Sequence, residues 1–174
     1  RLGYVVLYNP SYYFNNPIEI FMFWNGGMSF HGGLLGVIIA TIIFGKKNSQ
    51  NPFKFLDLNS IAAPIGIFLG RVANFINSEL YGTPTEKPWG VIFPNIDNSI
   101  RHPSQLYEAF LEGVVLFIVL NFIVSKNAKT ATATAYFLIL YSLFRFLVEF
   151  LRLPDSHIGY LMFSWVTMGQ ILCI

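Results

Sequence analysis

Four stretches of this chain are each about 20 residues long and predominantly apolar, the length that an α-helix needs to cross a hydrocarbon core of about 30 Å. They predict transmembrane helices over residues 27–44, 58–80, 103–124 and 131–153. A fifth helix is predicted to begin near Ile158. Residues 1–26 are rich in Tyr, Asn and Pro, and we expect them to hold the end of an earlier helix and an interfacial segment. The predicted fold is an all-α polytopic transmembrane helix bundle, with four complete helices and parts of flanking ones.

The composition excludes several other classes of protein. Apolar residues make up 54% of the 174 residues and charged residues 11%, whereas soluble domains carry about 25% charged residues. This balance argues against a soluble globule, a disordered segment and a nucleic-acid-binding protein. The one cysteine, Cys173, cannot form an internal disulfide and lies among apolar residues, as a buried inert thiol would. We expect residues 1–174 to form a single integral-membrane domain that is a piece of a longer chain.

Basic residues in the loops predict the orientation of the helices. Five lysines lie in the loops after the first and third predicted helices, namely Lys46, Lys47, Lys54, Lys126 and Lys129. By the positive-inside rule these loops face the cytoplasm. The loop 81–102 is then outward, and its Pro, Gly and Trp residues are candidates for a lid or a membrane anchor.

Seven ionisable side chains lie within or at the ends of the apolar stretches. Each costs at least about 2.5 to 3.5 kcal/mol in mid-bilayer, so we expect them to face one another or water. Helical spacing puts them, with other polar residues, on one stripe of each helix. The stripes are Arg71, Asn74 and Ser78 with Asn77 and Glu79 beside them; Gln105, Glu108 and Glu112; and Tyr141, Arg145, Glu149 and Arg152. At 1.5 Å per residue, five of the ionisable groups lie about 6 to 13 Å below the outer helix ends, which predicts a cavity in the outer half of the membrane: His31, Arg71, Glu108, Glu112 and Arg145.

Arg71 and Arg145, two arginines at one depth, suit a phosphate, because each guanidinium offers a planar fork of donors. In an outer-leaflet cavity the expected anion is a phospholipid headgroup. The alternative is that these arginines pair with Glu79 and Glu149 only to lock the bundle. Hydrogen bonds between polar side chains inside bilayers contribute about 0.6 kcal/mol on average, which is less than the cost of burying a charge there. A purely structural role for these arginines is therefore disfavoured.

His31 lies in a run of small residues that reads SFHGG, and it is the candidate base because imidazole titrates near pH 6.5. A hydrogen-bonded packing role is an equally good interpretation of a lone membrane histidine. No second His or Cys lies at ligand spacing, so no metal and no other cofactor is predicted.

Residues 70–82, which read GRVANFINSELYG, closely resemble the signature of the prolipoprotein diacylglyceryl transferase family, enzymes of the bacterial inner membrane. Three more segments are similar to that family: residues 28–33 around His31, residues 101–108 reading RHPSQLYE, and residues 144–152 followed by Pro154-Asp155. The resemblance is collinear over nearly the whole chain. Ser78 stands where the family pattern has Gly, the outward loop is short, and the family's first helices are not represented, so we expect this piece alone to be inactive or unstable.

The resemblance implies transfer of the diacylglyceryl group of phosphatidylglycerol to the lipobox Cys of a preprolipoprotein signal peptide, forming a thioether and releasing glycerol phosphate. It implies functional roles for His31, Arg71, Asn74, Glu79, Gly82, Tyr141, Arg145 and Glu149. His31, Arg71 and Arg145 are predicted to be catalytic. Substrate binding is assigned to Asn74, Asn77, Glu79, Gly82, Tyr141, Glu149 and Arg152.

Two other classes of function use the same residues. A transporter or flippase for an anionic lipid or solute would use the arginines as a site along its path, although no inverted repeat or broken helix is visible. A purely structural membrane subunit would leave the buried charges without a purpose.

Overall fold

The computed structural model describes residues 1–8, 10–124, 129–153, 160–162, 166–167 and 170. Its helices are α1 (Leu2–Tyr8), α2 (Pro10–Asn15), α3 (Phe30–Lys47), α4 (Pro52–Ile76), α5 (Ser104–Val124) and α6 (Thr132–Glu149). Its strands are β1 (Val91–Ile92), β2 (Ile100–Arg101), β3 (Tyr160–Met162) and β4 (Val166–Thr167). Within this described part, α4, α5 and α6 are long and apolar enough to cross a membrane. The predicted helical membrane bundle is thereby confirmed. The chain divides into two compact units, Arg1–Leu56 and Asp57–Ile174.

In the first unit, the Arg1 side chain ties α1 to the segment that follows α2. That segment consists of two 3₁₀ turns, Pro17–Phe21 and Phe23–Asn25. The Arg1 guanidinium donates to the carbonyls of Glu19 at 2.9 Å and Gly27 at 2.9 Å. It also lies over the ring of Tyr13, 5.2 Å from the centroid. These bonds connect the first residue of the chain to the backbone of residues 19–27.

Helix α3 begins at Phe30, three residues later than predicted, because Ser29 caps it. The Ser29 hydroxyl accepts a hydrogen bond from the Gly32 N–H at 3.3 Å. α1 crosses α3 closely at this point, since a Cβ on Gly3 would lie 2.8 Å from the Cα of Gly32. Small residues allow such close helix contacts in membranes. Lys46 and Lys47 lie in the last turn, where positive charge favours the helix dipole.

Helix α4 is displaced towards the N-terminus by several residues relative to the predicted range 58–80. Its start is set by Asn51, whose side chain accepts from the Phe53 N–H at 3.0 Å, and by Pro52 in the first helical position. Pro64 lies inside the helix and is buried. The apolar pattern alone does not mark this start, because the first turns of α4 include the polar residues Lys54 and Asp57.

The end of α4 is a Schellman motif centred on Ser78. The Glu79 N–H donates to the carbonyl of Asn74 at 2.8 Å, and the Ser78 N–H donates to that of Phe75 at 3.1 Å. Ser78 has φ of 59°, a left-handed conformation that Gly adopts without steric cost. The family resemblance led us to expect Gly at this position. Ser therefore adds local strain of about 1 kcal/mol and leaves the turn intact.

Helix α5 begins at Ser104, one residue after the predicted start, and includes a π-helical segment over Ala109–Val115. Helix α6 begins at Thr132, and its N-terminus is capped by Asp57 of α4. The Asp57 carboxylate accepts from the N–H groups of Ala131 at 2.7 Å and Thr134 at 2.8 Å. A carboxylate at a helix N-terminus satisfies free donors and complements the dipole, so Asp57 fixes α4 against α6.

The chain leaves α6 at Glu149, four residues before the predicted end, because residues 151–153 pair with the segment after α4. The Thr83 N–H donates to the carbonyl of Leu151 at 3.0 Å, and the Leu153 N–H donates to that of Tyr81 at 3.3 Å. In the loop 81–102, β1 pairs with β2 in antiparallel register, Val91 opposite Arg101.

The prediction of a helix from Ile158 is wrong for the residues that the structure describes there. β3 and β4 form an antiparallel pair, with Tyr160 opposite Thr167 and Met162 opposite Val166. A short apolar run rich in aromatic and β-branched residues suits a strand as well as a helix, and periodicity does not separate the two.

Candidate active site

A stripe of buried polar side chains runs along α5. Gln105, Glu108 and Glu112 have no exposed surface. Glu112 lies in the π-helical segment, a distortion that is frequent at functional sites. Two carboxylates buried in an apolar helix require cationic partners, since an unpaired buried charge is costly.

Glu108 contacts arginines from outside its own helix. Its Oε2 lies 3.0 Å from Nε of Arg71 on α4. Its Oε1 accepts a hydrogen bond from Nη1 of Arg145 on α6, and Nη1 of Arg152 lies 3.8 Å from the same oxygen. One buried carboxylate thus joins three guanidinium groups.

Two further carboxylates complete the arrangement. Glu112 Oε2 lies 3.4 Å from Nη2 of Arg71, and Glu149 Oε2 lies 2.5 Å from Nη2 of Arg145. The other oxygen of Glu149 accepts a hydrogen bond from the Thr167 hydroxyl at 2.8 Å. We call the three arginines and three glutamates the Arg–Glu cluster: Arg71, Arg145, Arg152, Glu108, Glu112 and Glu149.

The structure changes the pairing expected from the stripes. Arg145 pairs with Glu149, as the bundle-locking alternative supposes, but Arg71 pairs with Glu108 and Glu112 rather than with Glu79. Spacing along single helices does not show which stripe faces which, and the capped turn after α4 carries Glu79 away from Arg71.

The cluster lies at one level of the bundle. Arg71 lies five residues before the end of α4, Arg145 four before the end of α6, and Glu108 four after the start of α5. At 1.5 Å per residue these depths are about 6 to 7.5 Å. They are shallower than predicted for the arginines, because α4 and α6 end four residues earlier.

Both central arginines keep donors beyond those that bind carboxylates. The side chain of Arg71 is 16% exposed and that of Arg145 12% exposed. Among the described residues, neither Nη1 of Arg71 nor Nε of Arg145 has a hydrogen-bond partner. Within the same described part, Oε1 of Glu112 also lacks one. The cluster can therefore accept another polar ligand without first being dismantled.

Side chains at the start of α5 hold the turn that follows α4. Nε2 of Gln105 donates to the carbonyl of Glu79 at 2.5 Å, and the Ser104 hydroxyl donates to that of Leu80 at 3.0 Å. The Glu79 side chain accepts from Nδ2 of Asn74 at 2.8 Å. Asn77 is exposed on the same turn. The predicted residues of this stripe therefore lie together at the C-terminal end of α4, beside the Arg–Glu cluster rather than inside it.

Gly82 lies where three backbone segments meet. It forms a β-bridge with Arg152, and its N–H donates to the carbonyl of His102 at 3.0 Å. A Cβ at this position would lie 2.5 Å from that carbonyl oxygen and 2.7 Å from the carbonyl oxygen of Leu151. Close backbone packing therefore requires Gly here, and a role for Gly82 in binding substrate stays a prediction.

Arg101 fixes the loop 81–102 next to this junction. It binds Asp97 at 2.6 Å, and its guanidinium lies over the Tyr81 ring, 5.1 Å from the centroid. Hydrogen bonding from Arg101 lowers the pKa of Asp97 from 3.8 to about 2. The carboxyl group therefore contributes its stabilisation above pH 3.8 and loses it as the pH falls through about 2.

An apolar groove of about 540 Å³ lies between α5 and α6. Its walls are formed by Leu106, Phe110, Leu111, Leu147, Val148 and Leu151. Trp89, His102 and Tyr107 supply its polar groups, and the Trp89 N–H donates to the Tyr107 hydroxyl at 2.9 Å. The groove walls adjoin the cluster in sequence, since Leu111 precedes Glu112 and Val148 precedes Glu149.

Two predicted residues stand apart from these contacts. Tyr141 lies one turn before Arg145 on α6, half-buried, with its ring stacked on Phe137 at a centroid distance of 5.7 Å. His31 is the second residue of α3 and belongs to the unit Arg1–Leu56. The His31 side chain lies outside the described part of the structure, and its role as a base stays a prediction.

Glu108 and Glu112 are the cluster residues that the sequence-based assignment of site residues left out. The sequence does indicate these two residues, because Gln105, Glu108 and Glu112 recur at helical spacing within an apolar stretch. A buried carboxylate on a third stripe is the natural counterion for arginines on the other two.

Comparison with known proteins identifies the family. The family model for prolipoprotein diacylglyceryl transferase matches residues 1–174. Curated relatives named phosphatidylglycerol–prolipoprotein diacylglyceryl transferase are 53% identical over 174 residues in Oleidesulfovibrio alaskensis and 50% identical over 174 residues in Pseudomonas aeruginosa. The matches cover 100% of this chain and 65% of each relative, so the chain spans somewhat less than two thirds of their length. The chain belongs to the prolipoprotein diacylglyceryl transferase family of membrane proteins.

Proposed function

We propose that this chain carries the phosphate-binding core of an enzyme that transfers the diacylglyceryl group of phosphatidylglycerol to a cysteine thiol of a preprolipoprotein. The observation that carries the proposal is the convergence of Arg71 and Arg145, from separate helices, on the single buried carboxylate Glu108. Two guanidinium groups that share one carboxylate are close enough to share one phosphate. The names of the relatives support the same substrates.

The reaction replaces a carbon–oxygen bond with a carbon–sulfur bond. The lipobox cysteine loses its proton to a base, and the thiolate sulfur attacks the glycerol carbon of the diacylglyceryl group. The bond between that carbon and the phosphate oxygen breaks, which releases glycerol phosphate and leaves a thioether. Negative charge grows on the leaving oxygen, and Arg71 and Arg145 stabilise it with fixed donors in a site that excludes most water.

The remaining predicted residues have supporting roles in this mechanism. Glu149 orients Arg145, which it contacts at 2.5 Å, and Asn74 is oriented by Glu79. His31 is the base that accepts the thiol proton, and the alternative acceptors are Glu79, Glu149 and Tyr141. The residues proposed to bind substrate are Asn74, Asn77, Glu79, Gly82, Tyr141, Glu149 and Arg152.

The apolar groove between α5 and α6 supports a lipid substrate, because a cavity of about 540 Å³ with apolar walls suits an acyl chain. The five lysines within residues 46–54 and 126–129 support a cytoplasmic position for the helix ends at those places. We therefore place the site in the outer leaflet of the bacterial inner membrane, beneath an outward loop at 81–102.

The test is a transfer assay with the full-length protein in detergent, phosphatidylglycerol and a synthetic lipobox peptide. We expect a diacylglyceryl thioether on the peptide and an equal amount of free glycerol phosphate. The matched control is the same peptide with Ser in place of the lipobox Cys, which should remain unmodified. Movement of phosphatidylglycerol between leaflets of vesicles without a covalent product would favour a transporter or flippase instead.

A further inference from the structure

Glu108 is the point at which the two proposed phosphate-binding arginines are tied together. It has no exposed surface, and its two oxygens serve different arginines, Oε2 facing Arg71 and Oε1 facing Arg145. By comparison, the Glu112 carboxylate lies 3.4 Å from Arg71 and the Glu149 carboxylate 2.5 Å from Arg145, so among the described ion pairs each binds one arginine of the pair Arg71 and Arg145. Of the cluster carboxylates described, Glu108 thus has the contacts that set the distance between Arg71 and Arg145.

Repulsion between the Arg71 and Arg145 guanidinium groups makes a carboxylate between them necessary. Two guanidinium groups side by side repel each other, and the repulsion is strong where water is scarce. A carboxylate between them offsets that repulsion and fixes both in one geometry, since breaking a buried pair leaves an uncompensated charge. When all six cluster residues are ionised, three positive charges face three negative ones and the formal charge is zero.

Glu108 binds the arginines without using all their donors. Arg71 uses Nε and Nη2 for carboxylates, and Arg145 uses Nη1 and Nη2. Each guanidinium carries five N–H donors, so both keep N–H groups for a phosphate. The carboxylate and the phosphate are nonetheless anions drawn to the same two groups, and they compete electrostatically.

We propose that Glu108 is a positioning residue that holds Arg71 and Arg145 at the spacing of one phosphate and, by its charge, weakens the binding of that phosphate in the ground state. The proposal rests on the proposed function. It assigns to Glu108 a cost in substrate affinity and a gain in the rate of the chemical step. This is the division expected when binding energy is reserved for the transition state.

Two substitutions separate the effect of the charge of Glu108 from the effect of its side-chain length. Glu108→Gln keeps the size and removes the charge, so we expect KM for phosphatidylglycerol to fall about threefold or more and kcat to fall about tenfold or more. Glu108→Asp keeps the charge and shortens the side chain by one methylene. We expect its KM to stay near the wild-type value while kcat falls about tenfold.

The matched controls are a buried and an exposed glutamate. Glu112→Gln should reduce kcat less than Glu108→Gln does, because Glu112 contacts one arginine of the pair. Glu86→Gln, in the exposed outward loop, should leave both constants unchanged. Thermal melting of each variant in detergent reports on folding, and loss of folded enzyme lowers kcat without lowering KM.

The outcomes separate this proposal from the proposed function. Wild-type kcat in Glu108→Gln overturns the positioning role, and an unchanged or raised KM in a folded Glu108→Gln overturns the competition with phosphate. If Glu108→Gln does not fold, Glu108→Asp decides: a lower kcat at unchanged KM supports the proposal, and wild-type kcat overturns it.

If the wild-type enzyme makes no thioether, the proposed function fails. Binding to nanodiscs of phosphatidylglycerol then tests Glu108 alone, with tighter binding by Glu108→Gln as the expected result and unchanged binding as the contrary one.

Discussion

Replacing either Arg71 or Arg145 with Lys is expected to lower the rate of diacylglyceryl transfer by about 100-fold or more. Lys keeps the positive charge but lacks the planar fork that binds a carboxylate and a phosphate together. Arg71 already commits Nε and Nη2 to Glu108 and Glu112, and one ammonium group cannot replace these contacts and also hold the lipid. The measurement is the initial rate of thioether formation, normalised to the amount of protein inserted in the membrane.

Arg101→Lys is the matched control for these variants. Its side chain is 11% exposed, close to the values of 16% and 12% for Arg71 and Arg145, but it pairs with Asp97 in the loop 81–102. We expect it to transfer at a rate near that of the wild type. Because both cluster arginines act on one phosphate, the double Lys variant should lose less than the product of the two single losses. We call the binding of one lipid phosphate by both Arg71 and Arg145 the phosphate clamp. A single Lys variant of either arginine with full activity would count against it.

Gly82→Ala is expected to lower the free energy of unfolding by about 3 kcal/mol and to abolish transfer. The new methyl carbon would lie 2.5 Å from the carbonyl oxygen of His102 and 2.7 Å from that of Leu151. Neither carbonyl can retreat without breaking a backbone hydrogen bond, one from the Gly82 N–H and one from the Thr83 N–H. Denaturation of the protein in detergent measures the loss of stability.

Gly66→Ala in α4 provides the comparison, because a Cβ there meets nothing within 4 Å. Ala is favoured over Gly inside a helix by about 0.5 to 1 kcal/mol, so this variant should be as stable as the wild type or slightly more so. If Gly82→Ala melts and transfers like Gly66→Ala, the backbone junction described here is not important for the fold.

The spans could be predicted because apolar length is a property of the sequence alone. Their ends were harder to predict, since they depend on local polar contacts. Asn51 and Pro52 start α4 well before its apolar run, and the Schellman turn at Ser78 stops it at Ile76. α5 was placed within one residue because Pro103 directly precedes it.

The chemistry of the cluster could also be predicted, although its pairing could not. Arg71 and Arg145 stand out as charges within apolar stretches, and the structure joins them through a common carboxylate. That the carboxylate is Glu108 rather than Glu79 depends on how α4, α5 and α6 are rotated about their axes. Periodicity within one helix gives a face, and only packing decides which faces meet.

Gly82 shows a further reason why sequence reasoning is incomplete. The resemblance assigns it a role in the site, whereas the structure gives a steric reason for Gly that involves His102 and Leu151, far away in the sequence. Contacts of this kind depend on tertiary structure, and no local pattern reveals them.

The phosphate clamp is tested most directly by an experimental structure of the full-length protein in nanodiscs that contain phosphatidylglycerol. We expect the lipid phosphate within hydrogen-bonding distance, direct or through one water, of both Arg71 and Arg145, with Glu108 still between the two guanidinium groups. A phosphate bound away from both arginines, or arginines that point to opposite surfaces of the membrane, would contradict it.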